Sequence, residues 1–222
     1  MGIYVFTTDV LINTLQELKK TGLDFGGDVI PHLIHHGNVY SYRFNSYWKD
    51  VGTYESYLES NLELTTTVAK IQLDMYDKDW VIHTRSEEKP TAKFGSKAQV
   101  CQSLISNGSI IAGSVTKCVI SPGVHIHPNA IVRNSVIMND TVIEEGCIID
   151  GAIIDKNVVI GKGSIIGRGK VHCPNEEKPN VLSSGLNVIG KGVCIPEGTI
   201  IERNVRIFPH AEANDFNEQI IT

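Results

Sequence analysis

One carboxylate in this sequence stands where chemistry is often done. In "SYWKDVGTYESY", Ser46 to Tyr57, Asp50 follows Trp48 and precedes Gly52 and Thr53. Upstream, "NVYSYRF" (residues 38–44) is rich in β-branched and aromatic residues and predicts a strand. Downstream, Tyr54, Tyr57, Leu58 and Leu62 recur at helical spacing, with Thr53 placed as the cap. Asp50 thus sits near a strand's carboxyl end, the edge at which α/β sheets bind ligands. Aspartate is also common in turns, where it bonds nearby backbone amides. The stretch by itself leaves both readings open.

The elements that would position Asp50 fill the first part of the chain. "GIYVF" predicts an opening strand. "TTDVLINTLQELKK" predicts a helix with Leu11, Leu15 and Leu18 on one face and Thr8 or Asp9 as cap. "DFGGDVIPHLIHHG" predicts a loop and a short helix ending at Gly37. This region is too short for a doubly wound sheet, and it begins abruptly on a strand.

Near residue 100 the rules change. Every sixth residue from Cys118 is apolar: Cys118, Val124, Ala130, Val136, Val142, Ile148, Ile154, Ile160 and Ile166. Small residues follow several of these four positions on, at Gly146, Ala152, Val158 and Ser164, and are expected to let the backbone turn corners. The pattern resumes at Ile189, Ile195, Ile201 and Ile207. Such hexads predict a parallel β-helix, in which three flat sides close a triangular coil and stacked coils share one core. Known hexapeptide helices are left-handed, an exception to the right-handed crossover rule. The off-period stretch between the two runs, at about residues 168–187, predicts a protruding loop. The expected layout is an α/β fragment over 1–78, a linker over 79–98 and an all-β, left-handed parallel β-helix over 99–222.

Bulk properties exclude several classes. The net charge of −5 leaves no basic footprint for nucleic acid. No apolar run approaches membrane-spanning length, and the first residues lack the charged start and apolar core of a signal peptide. The five cysteines (Cys101, Cys118, Cys147, Cys173 and Cys194) are odd in number and form no CxxC pair, which disfavours a disulfide framework or zinc site. A cytoplasmic protein is expected.

Several ordered segments then carry a resemblance. "MGIYVF", "DFGGDVIP" and "YWKDVGTYESY" are similar to three segments that close the nucleotidyltransferase domain of glucose-1-phosphate adenylyltransferases. "WVIHTRSEEKPTAKF" resembles the following linker, and "AIIDKNVVIG" and "SGLNVIGKGVCIPEGTII" resemble the family's β-helix domain. The resemblance implies an enzyme of glycogen or starch synthesis, in which glucose 1-phosphate attacks the α-phosphate of ATP to yield ADP-glucose and pyrophosphate. It implies Mg2+ as cofactor, with Asp50 as a catalytic metal carboxylate. It assigns Trp48, Tyr4, Asp24 and Phe25 to the sugar site. It also places Lys156 and Lys191 where relatives bind phosphorylated glycolytic activators, although lysines on the solvated corners of a coil need no such role. An oligomer, homomeric or heteromeric, is implied as well.

The resemblance also implies parts that lie before this stretch of the family: a Gly-rich phosphate loop, a first metal aspartate and a Glu-Lys-Pro that grips the sugar phosphate. The Glu-Glu-Lys-Pro runs at Glu87–Pro90 and Glu176–Pro179 follow the Asp50 motif and are taken as decoys. The chain alone is therefore expected to be inactive. Two other readings stand beside this one: a non-catalytic regulatory or assembly subunit, and a hexapeptide acyltransferase using His125 or His127.

Overall fold

The computed structural model describes residues 2–18, 23–37, 39–66, 73–84, 87–169, 174–175, 177–216 and 220–221. Cys173 and Glu176 lie outside the described residues. The chain divides into two compact units, Met1–Asp50 and Val51–Thr222.

The first unit holds helix α1 (Thr8–Leu18), a π-helical turn (Phe25–Val29) and helix α2 (Ile30–His36). Pro31 stands in the first turn of α2, where its missing N–H costs no helical bond. Neither "GIYVF" nor the described part of "NVYSYRF" forms a strand. Both expectations are corrected for one physical reason. Strand preference is a preference for packing on a pleated neighbour, and among the described residues of this unit no strand offers a ladder. The β-prone side chains stand in solvent instead, Val5 96% and Tyr42 89% exposed.

The second unit opens with helix α3 (Tyr54–Glu63). The expected cap is present: the Thr53 hydroxyl accepts the Ser56 N–H at 3.1 Å, and Ser56 Oγ accepts the Thr53 N–H at 3.1 Å. This reciprocal pair satisfies two of the helix's orphan donors. Tyr54, Tyr57 and Leu58 pack as one stripe against buried Ile153, Leu182 and Leu186.

The rest of the second unit is a parallel β-solenoid. Its first rung, Lys93–Phe94, lies upstream of the expected start at 99 and pairs with Ile110–Ile111. Rungs then stack in three columns, every pairing parallel. One column runs through Ile110–Ile111, His125–Ile126, Val142–Ile143, Val159–Ile160 and Cys194–Ile195. The other two share the long bent strands Ser114–Ile120 and Ile131–Ile137, which turn a corner without breaking the ladder.

The inward frame differs from strict six-residue spacing. Ile126, Ile143 and Ile160 stack on one another, so one coil takes 17 residues. The axial column is Ile120, Ile126, Val132, Ile137, Ile143, Ile149, Ile154, Ile160 and Ile166, all buried and spaced six, six and five. Val142 and Ile148, which fall in the six-residue series, face outward and are only half-buried. One side of each coil is a residue short. Because strand side chains alternate, that residue moves a fixed six-residue series from one face to the other. The small residues also have another task. Ala152, Val158 and Ser164 are buried inside the coil rather than turning it. The turning falls to residues with left-handed backbone, such as Asn134 (φ 48°) and Gly151 (φ 71°) above it on the short corner. There an interior side chain also completes the ladder: Ser135 Oγ accepts the Ala152 N–H at 3.1 Å and donates to the Arg133 carbonyl at 2.6 Å.

The described part of the insertion does not simply protrude. Leu182 and Leu186 are buried against α3 and the coil face, because two leucines in a solvated loop would forfeit about 1.5–3 kcal/mol each. The first Glu-Glu-Lys-Pro is structural: Lys89 Nζ pairs with Asp140 and, at 3.3 Å, with Glu87, while Asn139 Nδ2 donates to Glu87 at 2.9 Å.

Candidate functional site

In the first unit, the π-helical turn gathers three of the residues singled out from sequence. Asp24 caps it: Asp24 Oδ1 accepts the Gly27 N–H at 2.6 Å. Asp28 Oδ2 accepts the Asp24 N–H at 3.0 Å, bracing the same residue from below. Asp24 Oδ1 is therefore held by its own turn, and Oδ2 has no hydrogen-bond partner among the described residues. π-turns recur at functional sites because the extra residue re-aims neighbouring side chains.

Aromatic rings stand beside this carboxylate. Tyr4 and Phe25 stack with centroids 6.0 Å apart and planes 20° apart. Phe6, which sequence reasoning passed over, joins them at 5.8 Å from Phe25 and 6.2 Å from Tyr4. The Tyr4 hydroxyl lies over Gly26, where a Cβ would stand 3.7 Å from it. Tyr4 and Phe25 are each 42% exposed, so their faces are open rather than sealed in a core. A carboxylate oxygen beside open aromatic faces suits a polyhydroxyl ring, which has both hydroxyl donors and apolar C–H faces.

Trp48 and Asp50 lie on the non-regular stretch that ends the first unit, and both are exposed. The Asp50 carboxylate has no hydrogen bond or ion pair among the described residues. Among the described residues no hydrogen bond, ion pair or ring stacking joins either residue to the Tyr4, Asp24 and Phe25 group. Among the described residues no cluster of three or more His, Cys, Asp or Glu is placed to hold a metal ion.

The two lysines, 35 positions apart, come together in the second unit. They occupy the same corner of consecutive coils, where the Gly192 N–H donates to the Lys156 carbonyl at 2.9 Å. The neighbouring residues Asp155 and Gly190 line a cavity of about 820 Å3, with Thr53, Tyr54, Met138, Arg206 and Phe208 also on its wall. Arg206 lies 4.5 Å over the Phe208 ring and 3.6 Å from Glu177. No spacing rule links Lys156 to Lys191, because the insertion hides their common corner. His125 stands in an outward column between Ile110 and Val142, and His127 is exposed; neither ring has a carboxylate hydrogen-bond partner among the described residues.

Comparison with known proteins agrees with this layout. Residues 1–67 match the nucleotidyl transferase family, and residues 90–189 match the family of GlmU-like, C-terminal hexapeptide domains. The class is thus a nucleotidyltransferase segment joined to a hexapeptide β-helix. Whole-chain relatives narrow it further. The chain is 36% identical to a glucose-1-phosphate adenylyltransferase of Acetivibrio thermocellus over 97% of its own length and 51% of the relative's. It is 42% identical to that of Thermomicrobium roseum over 100% and 52%, and 44% identical to that of Ruminiclostridium cellulolyticum over 97% and 51%. The chain belongs to the glucose-1-phosphate adenylyltransferase family. It spans about half the length of the curated relatives it matches. Among the described residues no helix is long and apolar enough to cross a membrane.

Proposed function

We propose that this chain supplies one wall of the sugar site, one metal carboxylate and the β-helix of a cytoplasmic enzyme that makes ADP-glucose and pyrophosphate from ATP and glucose 1-phosphate. The observation that carries the reading is the meeting of Tyr4, Asp24 and Phe25 on one π-turn. Asp24 Oδ2 accepts hydrogen bonds from glucose hydroxyls, while Oδ1 stays bound to the Gly27 N–H and fixes the carboxylate plane. The Tyr4, Phe25 and Trp48 rings give the pyranose apolar faces and exclude water.

Asp50 fits a Mg2+ ligand by its chemistry: an exposed carboxylate with no ion-pair partner among the described residues. Magnesium is typically held by one or two carboxylates together with substrate phosphates, so a single Asp from this chain is a sufficient share. When bound, the ion neutralises charge on the transferring phosphate. Asp50 itself would supply a carboxylate oxygen to hold the ion beside the substrate phosphates.

Lys156 and Lys191 form a regulatory phosphate contact in this proposal. Two ammonium groups on stacked corners suit a phosphorylated activator, each acting as a point charge. The β-helix, with its stacked coils, suits assembly into a homo- or hetero-oligomer. A non-catalytic regulatory or assembly subunit is the second reading, favoured by the exposed apolar side chains of the first unit, which leave a surface for another polypeptide.

The deciding experiment is turnover in an enzyme that contains this chain together with the nucleotide-binding part of its relatives. Asp50→Asn is expected to lower the rate at saturating Mg2+ by at least about a hundredfold, the scale of losing one transition-state charge contact. Turnover near that of the unsubstituted enzyme removes the metal role and leaves the regulatory reading.

A further inference from the structure

We propose that Asn175 and residues 177–186 form a strap across helix α3, and that Arg203 is the latch that closes it. Arg203 sits on a corner of the last coils, 18 residues past Gly185 and 34 past Gly169. Its guanidinium nevertheless reaches both. Nε donates to the Gly169 carbonyl at 3.1 Å, where the insertion leaves the coil, and Nη1 to the Gly185 carbonyl at 3.3 Å, where it returns. The third arm, Nη2, donates to Asp150 Oδ2 at 3.2 Å, and Asn134 Nδ2 holds the other Asp150 oxygen at 2.9 Å. A planar fork of five donors can bridge three acceptors on three segments; an ammonium cannot reproduce that geometry.

The next residue completes the stem. Asn204 is buried, accepts the Gly185 N–H on Oδ1 at 2.6 Å, and receives Asn175 Nδ2 on its carbonyl at 3.0 Å. The face of the strap that meets α3 is held differently. Leu182 and Leu186 pack on Tyr54, Tyr57 and Leu58 of α3, and Ser184 Oγ donates to Glu55 Oε1 at 2.8 Å. The strap is thus polar where it meets the last coils and apolar where it meets the helix.

The closed strap also shapes the cavity of about 820 Å3, since Asn180 and Val181 line it together with Val51–Tyr54 at the start of α3. Opening the strap exposes the apolar stripe of α3 and removes one cavity wall. A ligand filling that cavity therefore favours the closed strap, and by linkage a locked strap favours the ligand.

Hydrogen exchange followed by mass spectrometry on the whole chain tests the latch. Arg203→Ala is expected to speed exchange about tenfold or more in peptides from 177–186 and 54–63, and to leave the rungs between 125 and 166 unchanged, as a local opening does. Arg203→Lys is expected to resemble the alanine variant. Leu182→Ser, which leaves the axial column intact, loosens the strap from its helix-facing side and is expected to give the same two fast segments with 200–207 still protected. Acceleration confined to 200–207, spread evenly over all coils, or absent from α3 overturns the latch.

Discussion

Asp24 commits one carboxylate oxygen to its own turn and leaves the other open, a division of labour that fits holding a ligand more than holding a fold. Replacing Asp24 by Asn keeps the cap, since an amide oxygen still accepts the Gly27 N–H, and alters the proposed sugar contact. In the assembled enzyme Asp24→Asn is expected to raise KM for glucose 1-phosphate with little change in Tm; a Tm fall with unchanged KM would make Asp24 a structural residue. The cysteines divide in the same residue-by-residue way. Cys118 is buried, and desolvation pushes its thiol up to about 12, whereas Cys101 and Cys194 are exposed. Thiolate is the reactive form, so a thiol reagent at pH 8 is expected to label Cys101 and Cys194 at once and Cys118 only after denaturation. An exposed ion pair adds a pH signature. Lys162 Nζ lies 2.9 Å from Glu145 Oε2, and that hydrogen bond holds the Glu145 carboxyl below its ordinary value of 4.5. A depressed carboxylate stabilises the fold above the unfolded value and loses that contribution as pH falls through the folded one. The Tm difference between the natural chain and Lys162→Met is therefore expected at pH 7 and to close below about 4.5.

At the scale of elements, the coil's short side decides which isoleucines matter. A fixed six-residue count selects Ile148, and the stacked coils bury Ile149 instead. Ile149→Ala is expected to cost about 2–5 kcal/mol in denaturant unfolding, from lost transfer energy and the cavity left behind. Ile148→Ala, on the outward face, is expected to cost well under half as much; equal losses would restore the six-residue frame. Helix α3 offers a second measure. Thr53→Ala removes the acceptor for the Ser56 N–H and is expected to cost about 0.5–2 kcal/mol. The Thr53 cap was legible in sequence because it is local, the Thr53 acceptor and the Ser56 donor lying three residues apart, whereas Thr8 and Asp9, expected to cap α1, stand inside its first turn. The strands expected at "GIYVF" and "NVYSYRF" do not form over their described residues, since a strand is completed by a neighbour that no local pattern names.

For the molecule as a whole, the second unit owns its core. Its axial aliphatic column and the α3 cluster draw only on residues after Asp50. Residues 51–222 expressed alone are expected to unfold cooperatively and resist protease, read by circular dichroism and limited proteolysis; a molten, freely cleaved product would show that the first unit is needed for folding. Much of this organisation was readable beforehand. A coil that buries one aliphatic side chain per face must repeat it, so Ile154, Ile160 and Ile166 announce a solenoid in any frame. The ordered segments around Asp24 and Asp50 announced the family. What the sequence could not disclose is whatever depends on groups far apart along the chain: the 17-residue coil that turns Ile149 inward, Lys156 stacked under Lys191, and Arg203 clasping Gly169 to Gly185. Local patterns record which face a residue prefers and where a helix starts. Only stacking, which brings distant backbone into hydrogen-bond range, settles which residues share a corner.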